Sequence, residues 1–350
     1  MIICQFANIV NSMYYLYMNR SELHKRLADE PAYREKQILE SIYSGRAKNW
    51  DEITSIPSAL REKLRDLPFF CFEPVNRVVS TDGTIKSLFK MSDGALIETV
   101  LIPNKEFRTV CVSSQVGCAM ACGFCATGTL GLTRNLTADE IADQVLYYKQ
   151  TAKVTNVVYM GMGEPLLNLE NVLPSVDILN DLMGIGARKI SISTCGIIPG
   201  IRKLMDYPKQ INLAISIHSP DDALRSKLMP VNKGFPLAKL LETCAEYIKK
   251  TNRRLMFEYV MLSGINDSDE QAHEIARLLR PLELVLLNLI PFHQTFLQFG
   301  SASRNRIHDF QRIVELEGVD CHIRHSAGVD VDAACGQLAR THYDKETRVT

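Results

Sequence analysis

Cys118, Cys122 and Cys125 lie in the run Val116-Gly117-Cys118-Ala119-Met120-Ala121-Cys122-Gly123-Phe124-Cys125-Ala126-Thr127-Gly128. The spacing is Cys-x3-Cys-x2-Cys, and the number three matters. A cubane iron–sulfur cluster has four irons and is ordinarily held by four thiolates. A loop that supplies three leaves one iron open to a further ligand. Such a centre can spend an electron on a bound molecule instead of storing it. The competing reading is zinc. Zinc loops pair one Cys-x2-4-Cys with a second pair farther on, and no second Cys-x-x-Cys occurs here. A disulfide framework fits less well, because three clustered cysteines leave one over.

Other residues of suitable type follow at intervals. Met160-Gly161-Met162-Gly163-Glu164-Pro165 places a carboxylate after two glycines. Glycine lets backbone approach a ligand closely, and glutamate accepts charge-assisted hydrogen bonds from an ammonium; the plain alternative is a tight turn. Ser193-Thr194 and Ser216-Ile217-His218 end apolar runs, as polar groups do at the strand ends of barrel active sites, or as simple helix caps do. Cys335 stands among small residues in Gly328-Val329-Asp330-Val331-Asp332-Ala333-Ala334-Cys335-Gly336-Gln337-Leu338, and Cys111 lies upstream of the cysteine loop.

The elements that must position these groups show in the periodicity. Leu23, Leu27, Tyr33, Ile38, Leu39, Ile42 and Tyr43 recur at helical intervals, and a second helix follows Pro57-Ser58. Asp82-Gly83 and Asp93-Gly94 signal hairpin turns, predicting three strands between about Val78 and Ile102. Beyond them, strand-like runs at 156–160, 189–194, 211–217, 255–261, 284–290 and 320–325 alternate with helix-like runs such as 138–149, 236–250 and 269–279. That alternation implies parallel strands with right-handed crossovers. Six strands suit an α/β fold built as an incomplete (β/α)6 barrel with ligands at the C-terminal strand ends.

The chain has 350 residues, 46% hydrophobic and 23% charged, with a formal net charge of zero. The length suits one large domain with a smaller one. The overall field does not announce a nucleic-acid binder, so a surface for one must be a local patch. Candidates are Arg188-Lys189, Lys249-Lys250, Arg253-Arg254, Arg304 with Arg306, and Arg324, or these are a solvated charged face. The ten cysteines lack paired spacings, and thiolate ligands need a reducing compartment, which places the protein in the cytoplasm. Residues 1–19 are interrupted by Gln5, Asn8, Asn11 and Ser12, so they read neither as a signal peptide nor as a membrane span. They read as an extension, or as sequence upstream of a start at Met13 or Met18.

Taken in order, these motifs resemble the RlmN/Cfr family of radical S-adenosylmethionine (SAM) RNA adenine methyltransferases. The resemblance rests on Cys111 to Cys125, Arg134-Asn135-Leu136-Thr137, Met160 to Asn168, Ile192 to Pro199, Ser216 to Pro220, Glu258 to Leu262 and Asp330 to Leu338. It spans about Ser21 to Leu338 and includes Asp93 to Val100. Within the family, Gly163-Glu164-Pro165-Leu166-Leu167-Asn168 looks like the carbon-2 (RlmN) type, whereas His218-Ser219-Pro220 has a carbon-8 (Cfr) flavour.

The resemblance implies an extension at 1–20, an RNA-docking helical module at 21–75, a β-hairpin connector at 76–103, a radical SAM core at 104–338 and a tail at 339–350. It implies that Cys118, Cys122 and Cys125 hold a [4Fe–4S] cluster, and that Gly163, Glu164, Ser193, Ser216, Ile217 and His218 contact SAM. Two SAM molecules serve each turnover in such enzymes: one methylates the carrier, here Cys335, and the other is cleaved to the 5′-deoxyadenosyl radical. That radical converts the methyl group into the species that adds to adenine. Cys111 matches the thiol that resolves the resulting protein–RNA adduct through a transient disulfide with Cys335, and Glu98 matches the proton acceptor. The family has an asparagine on SAM where His293 stands; imidazole is larger and titrates near neutrality, which leaves a paralogue of altered or reduced activity as an alternative. The expected substrates are 23S rRNA, at the peptidyl-transferase centre, and the adenosine 3′ of the anticodon in some tRNAs. The target base must leave its stack. A one-electron donor such as flavodoxin is implied, with no membrane association and a monomeric state.

Overall fold

A computed structural model describes residues 21–293, 299–334 and 336–338. The extension 1–20, Cys335 and the tail 339–350 lie outside the described residues. Three helices come first: α1 (Ser21–Arg26), α2 (Ala32–Tyr43) and α3 (Ser58–Leu64). Helix α2 buries Ile38, Leu39, Ile42 and Tyr43 along one stripe, as its spacing predicts. The Tyr43 hydroxyl donates to Asp139 Oδ1 at 2.8 Å, and Lys149 Nζ donates to the Ser44 carbonyl at 2.8 Å. The helical module is thereby tied to the barrel.

Strands β1 (Phe72–Val79), β2 (Ile85–Met91) and β3 (Leu96–Pro103) form an antiparallel meander turning at the two expected Asp-Gly pairs. Strand β1 starts well before Val78. It is exposed along nearly its whole length and contains Pro74, as edge strands do, so no apolar alternation betrays it.

The remaining elements are β4 (Arg108–Cys111), β5 (Gln115–Gly117), β6 (Leu132–Asn135), α4 (Ala138–Lys149), β7 (Asn156–Tyr159), α5 (Leu169–Asp177), β8 (Ile190–Thr194), α6 (Ile198–Leu204), β9 (Asn212–Ser216), α7 (Asp222–Leu228), α8 (Leu237–Thr251), β10 (Leu255–Met261), α9 (Asp269–Leu279), β11 (Val285–Pro291), α10 (Arg304–Leu316) and β12 (Cys321–Ile323). One sheet runs β1-β2-β3-β4-β7-β8-β9-β10-β11-β12, and from β4 onward every neighbouring pair is parallel. The described strands end at β1 and β12, so the barrel is open. Val157, Ile192, Leu213, Ile215, Phe257, Leu287 and Leu289 are almost wholly buried, because crossover helices cover the sheet.

The expected open α/β barrel is thus present among the described residues, with seven parallel strands in place of six. The additional strand is β4, Arg-Thr-Val-Cys, too short and too polar to stand out. Its presence makes β7 the second parallel strand, not the first. Helices α4 and α9 begin and end where the sequence placed them. Each opens with a capping box, Thr137 with Glu140 and Ser268 with Gln271, which writes the boundary into local residues. No described helix is long and apolar enough to cross a membrane.

Candidate cluster and cofactor site

The cysteine loop is a bracketed insertion. It leaves β5 and returns in β6, which pair as a small antiparallel sheet, and the Cys118 amide donates to the Gly131 carbonyl at 2.8 Å. Gly117 makes this closure possible. Its φ is +75°, and a Cβ there would lie 1.9 Å from the Gly131 carbonyl oxygen. Inside the loop the Cys125 amide donates to the Cys122 carbonyl and the Gly123 amide to the Leu228 carbonyl of α7.

Cys118, Cys122 and Cys125 line one cavity at the C-terminal ends of the parallel strands, and Gly163, Glu164, Ser193, Ser216 and His218 line the same cavity. Among the described residues no three His, Cys, Asp or Glu side chains are gathered closely enough to share a single metal ion. The three thiols share the cavity wall, three ligands where a tetrahedral zinc takes four. Burial pushes the Cys118 thiol up to about 12, and burial followed by repulsion from Cys122 pushes Cys125 up. Bound iron is the cation that would make such buried thiols thiolates. The donor set therefore fits a [4Fe–4S] cluster.

Glu164, at the exit of β7, is 2% exposed. Its Oε1 accepts from the Leu166 amide at 3.0 Å and its Oε2 from the Cys195 amide at 2.7 Å. Burial raises its pKa and the backbone donors oppose that rise. The Glu164 amide donates to Gln115 Oε1 at 2.8 Å. Gly163 has φ +102°, and its Cβ would lie 2.6 Å from Gln115 Cβ. Close packing against the strand that feeds the cysteine loop thus requires this glycine, whatever ligand the turn also meets.

Ser193, Thr194 and Ser216 all line the cavity, and Thr194 Oγ1 also accepts from the amides of Gly196 and Ile197. Ile217 is fully buried and its side chain belongs to the core, outside the cavity lining. His218 has φ +55°. Its Nδ1 accepts from the Val260 amide at 3.0 Å and its ring meets Phe124 of the cysteine loop edge-on, 4.8 Å between centroids. An acceptor at Nδ1 puts the proton on Nε2, so the imidazole offers one donor. Burial, and then the Arg225 charge, lowers its pKa to about 3.

A second cavity shares Cys125, Met160, Arg324 and Gly336 with the first. Cys111 lines it, and so do Ala333, Ala334, Gly336 and Leu338, which flank Cys335 on both sides. His293 lines this second cavity rather than the first; its Nε2 is buried without a hydrogen-bond partner among the described residues. Burial alone lowers its pKa. Glu98 is 1% exposed on β3, lines neither cavity and lies 3.5 Å from Lys86 Nζ, which also donates to the Asp332 carbonyl at 3.2 Å. Of the expected basic patches, Lys250, Arg254 and Arg306 pair with Asp206, Asp320 and Asp269. Arg324 instead faces both cavities and Glu258 Oε2 at 3.3 Å.

Sequence reasoning passed over Cys195, whose Sγ is 3.9 Å from Cys122 Sγ, and the fully buried Arg225. Cys195 falls inside the Ile192 to Pro199 run but its spacing does not tie it to the cysteine loop, and Arg225 lies in no such run; only the fold brings them to the loop.

Residues 112–278 match the model of the radical SAM superfamily. The chain is 43% identical to the probable dual-specificity RNA methyltransferase RlmN of Chloroflexus aurantiacus, covering 93% of this chain and 92% of that protein. It is 46% identical to the same-named protein of Gemmatimonas aurantiaca, covering 88% and 86%. The dual-specificity RNA methyltransferase RlmN of Desulfotalea psychrophila is 43% identical, with 91% and 92% covered. A crystal structure of a radical SAM methyltransferase from Sphaerobacter thermophilus superposes with a TM-score of 0.86 at 46% identity, covering 92% of this chain and 98% of that one.

Proposed function

The chain belongs to the RlmN family of radical SAM RNA methyltransferases, and we propose that it methylates carbon 2 of one adenosine in 23S rRNA and of the adenosine 3′ of the anticodon in some tRNAs. The observation that best supports a methyl-carrier route is the second cavity. Cys111 and the residues on both sides of Cys335 line it, and it shares a wall with the cavity of the three cysteines. Two thiols with separate tasks, one carrying carbon and one releasing product, need such adjacency.

The target carbon is electron-poor and cannot attack a sulfonium methyl as a nucleophile, so direct transfer fails. Cys335, as a thiolate, can accept that methyl by displacement. Cys118, Cys122 and Cys125 would hold the cluster, which when bound supplies the single electron on which the radical chemistry of SAM depends. Glu164 offers a buried carboxylate to an ammonium, and His218 a fixed Nε2–H donor to an acceptor. Walls of Phe124, Val260 and Phe292 restrict water. Cys111, as its thiolate, then releases the product by attacking the sulfur of the S-linked adduct: an S–S bond forms, the S–C bond breaks with its electron pair left on the methylene carbon, and that carbon takes up a proton to become the methyl group. Glu98 is given the ring proton by the family resemblance alone, since it lines neither cavity. Its position beside Lys86 also links it to the loop before Cys335, so a Glu98→Gln variant separates proton acceptance from tethering.

Mass spectrometry of rRNA from a deletion strain complemented with this gene tests the assignment. Carbon-2 methyladenosine is expected; methyl at carbon 8 would overturn the regiochemistry. Cys335→Ala should abolish turnover. Cys111→Ala should accumulate a covalent protein–RNA adduct, and purified variant free of RNA would refute the resolving role.

A further inference from the structure

Arg225, on α7, is the bulkiest of the fully buried side chains among the described residues. Its Nε donates to the Ile217 carbonyl at 3.1 Å, its Nη2 to the carbonyls of Cys195 at 2.8 Å and Ser216 at 3.0 Å, and its Nη1 to Asn232 Oδ1. Every one of these acceptors is neutral. Asp222 reaches the guanidinium only through Asn232, whose Nδ2 donates to Asp222 Oδ1 at 3.0 Å. A buried cation without a contacting anion is strongly disfavoured, and neutral carbonyls alone do not balance it.

One of those carbonyls belongs to a residue whose thiol faces the cysteine loop. Cys195, whose carbonyl Arg225 grips, holds its Sγ 3.9 Å from that of Cys122. Leu228, one turn along the same helix, accepts from the Gly123 amide inside the cysteine loop. Leu224 and Leu228 also pack with Cys122, Met229 and Val260 in an apolar cluster. A charge placed there acts through low-dielectric protein, where its field is weakly screened.

We infer that Arg225 is the counter-charge of the iron–sulfur cluster held by Cys118, Cys122 and Cys125, and that it biases that cluster toward its reduced state. The inference rests on the cluster assignment and is independent of which RNA or which carbon is methylated. With three thiolates the cluster carries net negative charge, and a one-electron donor adds one more. Net charge near a cluster sets its potential, so a fixed buried cation favours the added electron. Arg225 touches neither cavity, so it acts through space as a positioning charge and not as a catalytic residue.

The test is a redox titration of the reconstituted full-length protein, following the reduced cluster by electron paramagnetic resonance with dithionite as donor. Arg225→Gln should lower the reduced-to-oxidised ratio at fixed potential by about tenfold, about 59 mV for one electron. Arg225→Lys keeps the charge and should stay within about twofold of wild type, although both variants lose hydrogen bonds and melt lower. Asn232→Asp retains an acceptor for Nη1 while neutralising the guanidinium, and should shift the ratio in the same direction as Arg225→Gln. Iron loading retained by the Lys variant and lost by the Gln variant also supports the counter-charge. Equal midpoints in wild type and Gln, or Gln and Lys failing together while Asn232→Asp titrates like wild type, overturn it and leave Arg225 a hydrogen-bonding staple.

Discussion

His218 shows how one residue is held for a task. A non-glycine residue at φ +55° is uncommon, and two contacts hold it there: the Val260 amide on Nδ1 and Asn266 Nδ2 on its carbonyl at 2.8 Å. Burial pushes its imidazole down to about 3 from 6.5. Between those values the unfolded chain binds a proton that the folded chain refuses. Stability from this group is therefore complete above pH 6.5 and is lost as pH falls toward 3, by up to about 1.4 kcal/mol per pH unit. His218→Phe should flatten that acid limb in urea titrations at successive pH values. It should also cost about 1–3 kcal/mol at pH 8, because the Val260 amide loses its buried acceptor. An unchanged acid slope would place the sensitivity on another group.

At the scale of elements, the cysteine loop depends on the β5–β6 bracket. Gly117→Ala would force a methyl group into the Gly131 carbonyl in a left-handed backbone. The bracket can then close only by moving Cys118, so reconstituted protein should hold far less iron and sulfide per chain while α-helical circular dichroism is retained. Full loading of this variant would show that the bracket is dispensable. Helix α4 is secured separately by its capping box, and Arg134 bonds Glu140 through both terminal nitrogens while its Nε reaches Asp93 in the hairpin turn. Bidentate geometry of this kind is specific as well as strong.

For the whole molecule, one long-range join ties the hairpin to the C-terminal loop. Ser80 Oγ donates to Asp330 Oδ1 at 2.5 Å, the Thr81 amide to Asp330 Oδ2 at 3.0 Å, and the Gly328 amide to Asp82 Oδ2 at 2.9 Å. The backbone amides of Gly328 and Thr84 outweigh burial and hold the Asp82 carboxyl down at about 2. Asp330→Ala removes two of the three ties. Amide exchange across residues 328–334 should then rise by about tenfold, the equivalent of about 1.4 kcal/mol, with α2 and α3 unchanged. Exchange rising equally everywhere would mean global destabilisation instead of a released strap.

Features written by near neighbours were legible in the chain itself. The cysteine spacing, the two Asp-Gly turns and the caps of α4 and α9 each depend on residues a few positions apart, so the sequence alone determined the cluster loop, the hairpin and most parallel strands. The early start of β1 and the whole of β4 escaped because one is an exposed edge and the other is four residues long; both exist through pairing, not through pattern. The tertiary structure alone decided that Gly163 is required by Gln115, that His293 faces the Cys111 cavity, and that Ile217 lies in the core. It also decided that Arg225 lies buried behind Cys122. Partners such as Glu164 with Cys195, or Ser80 with Asp330, are joined across 31 and 250 positions. Contacts of that reach are selected by burial and packing of the whole sheet, which no local run of residues encodes.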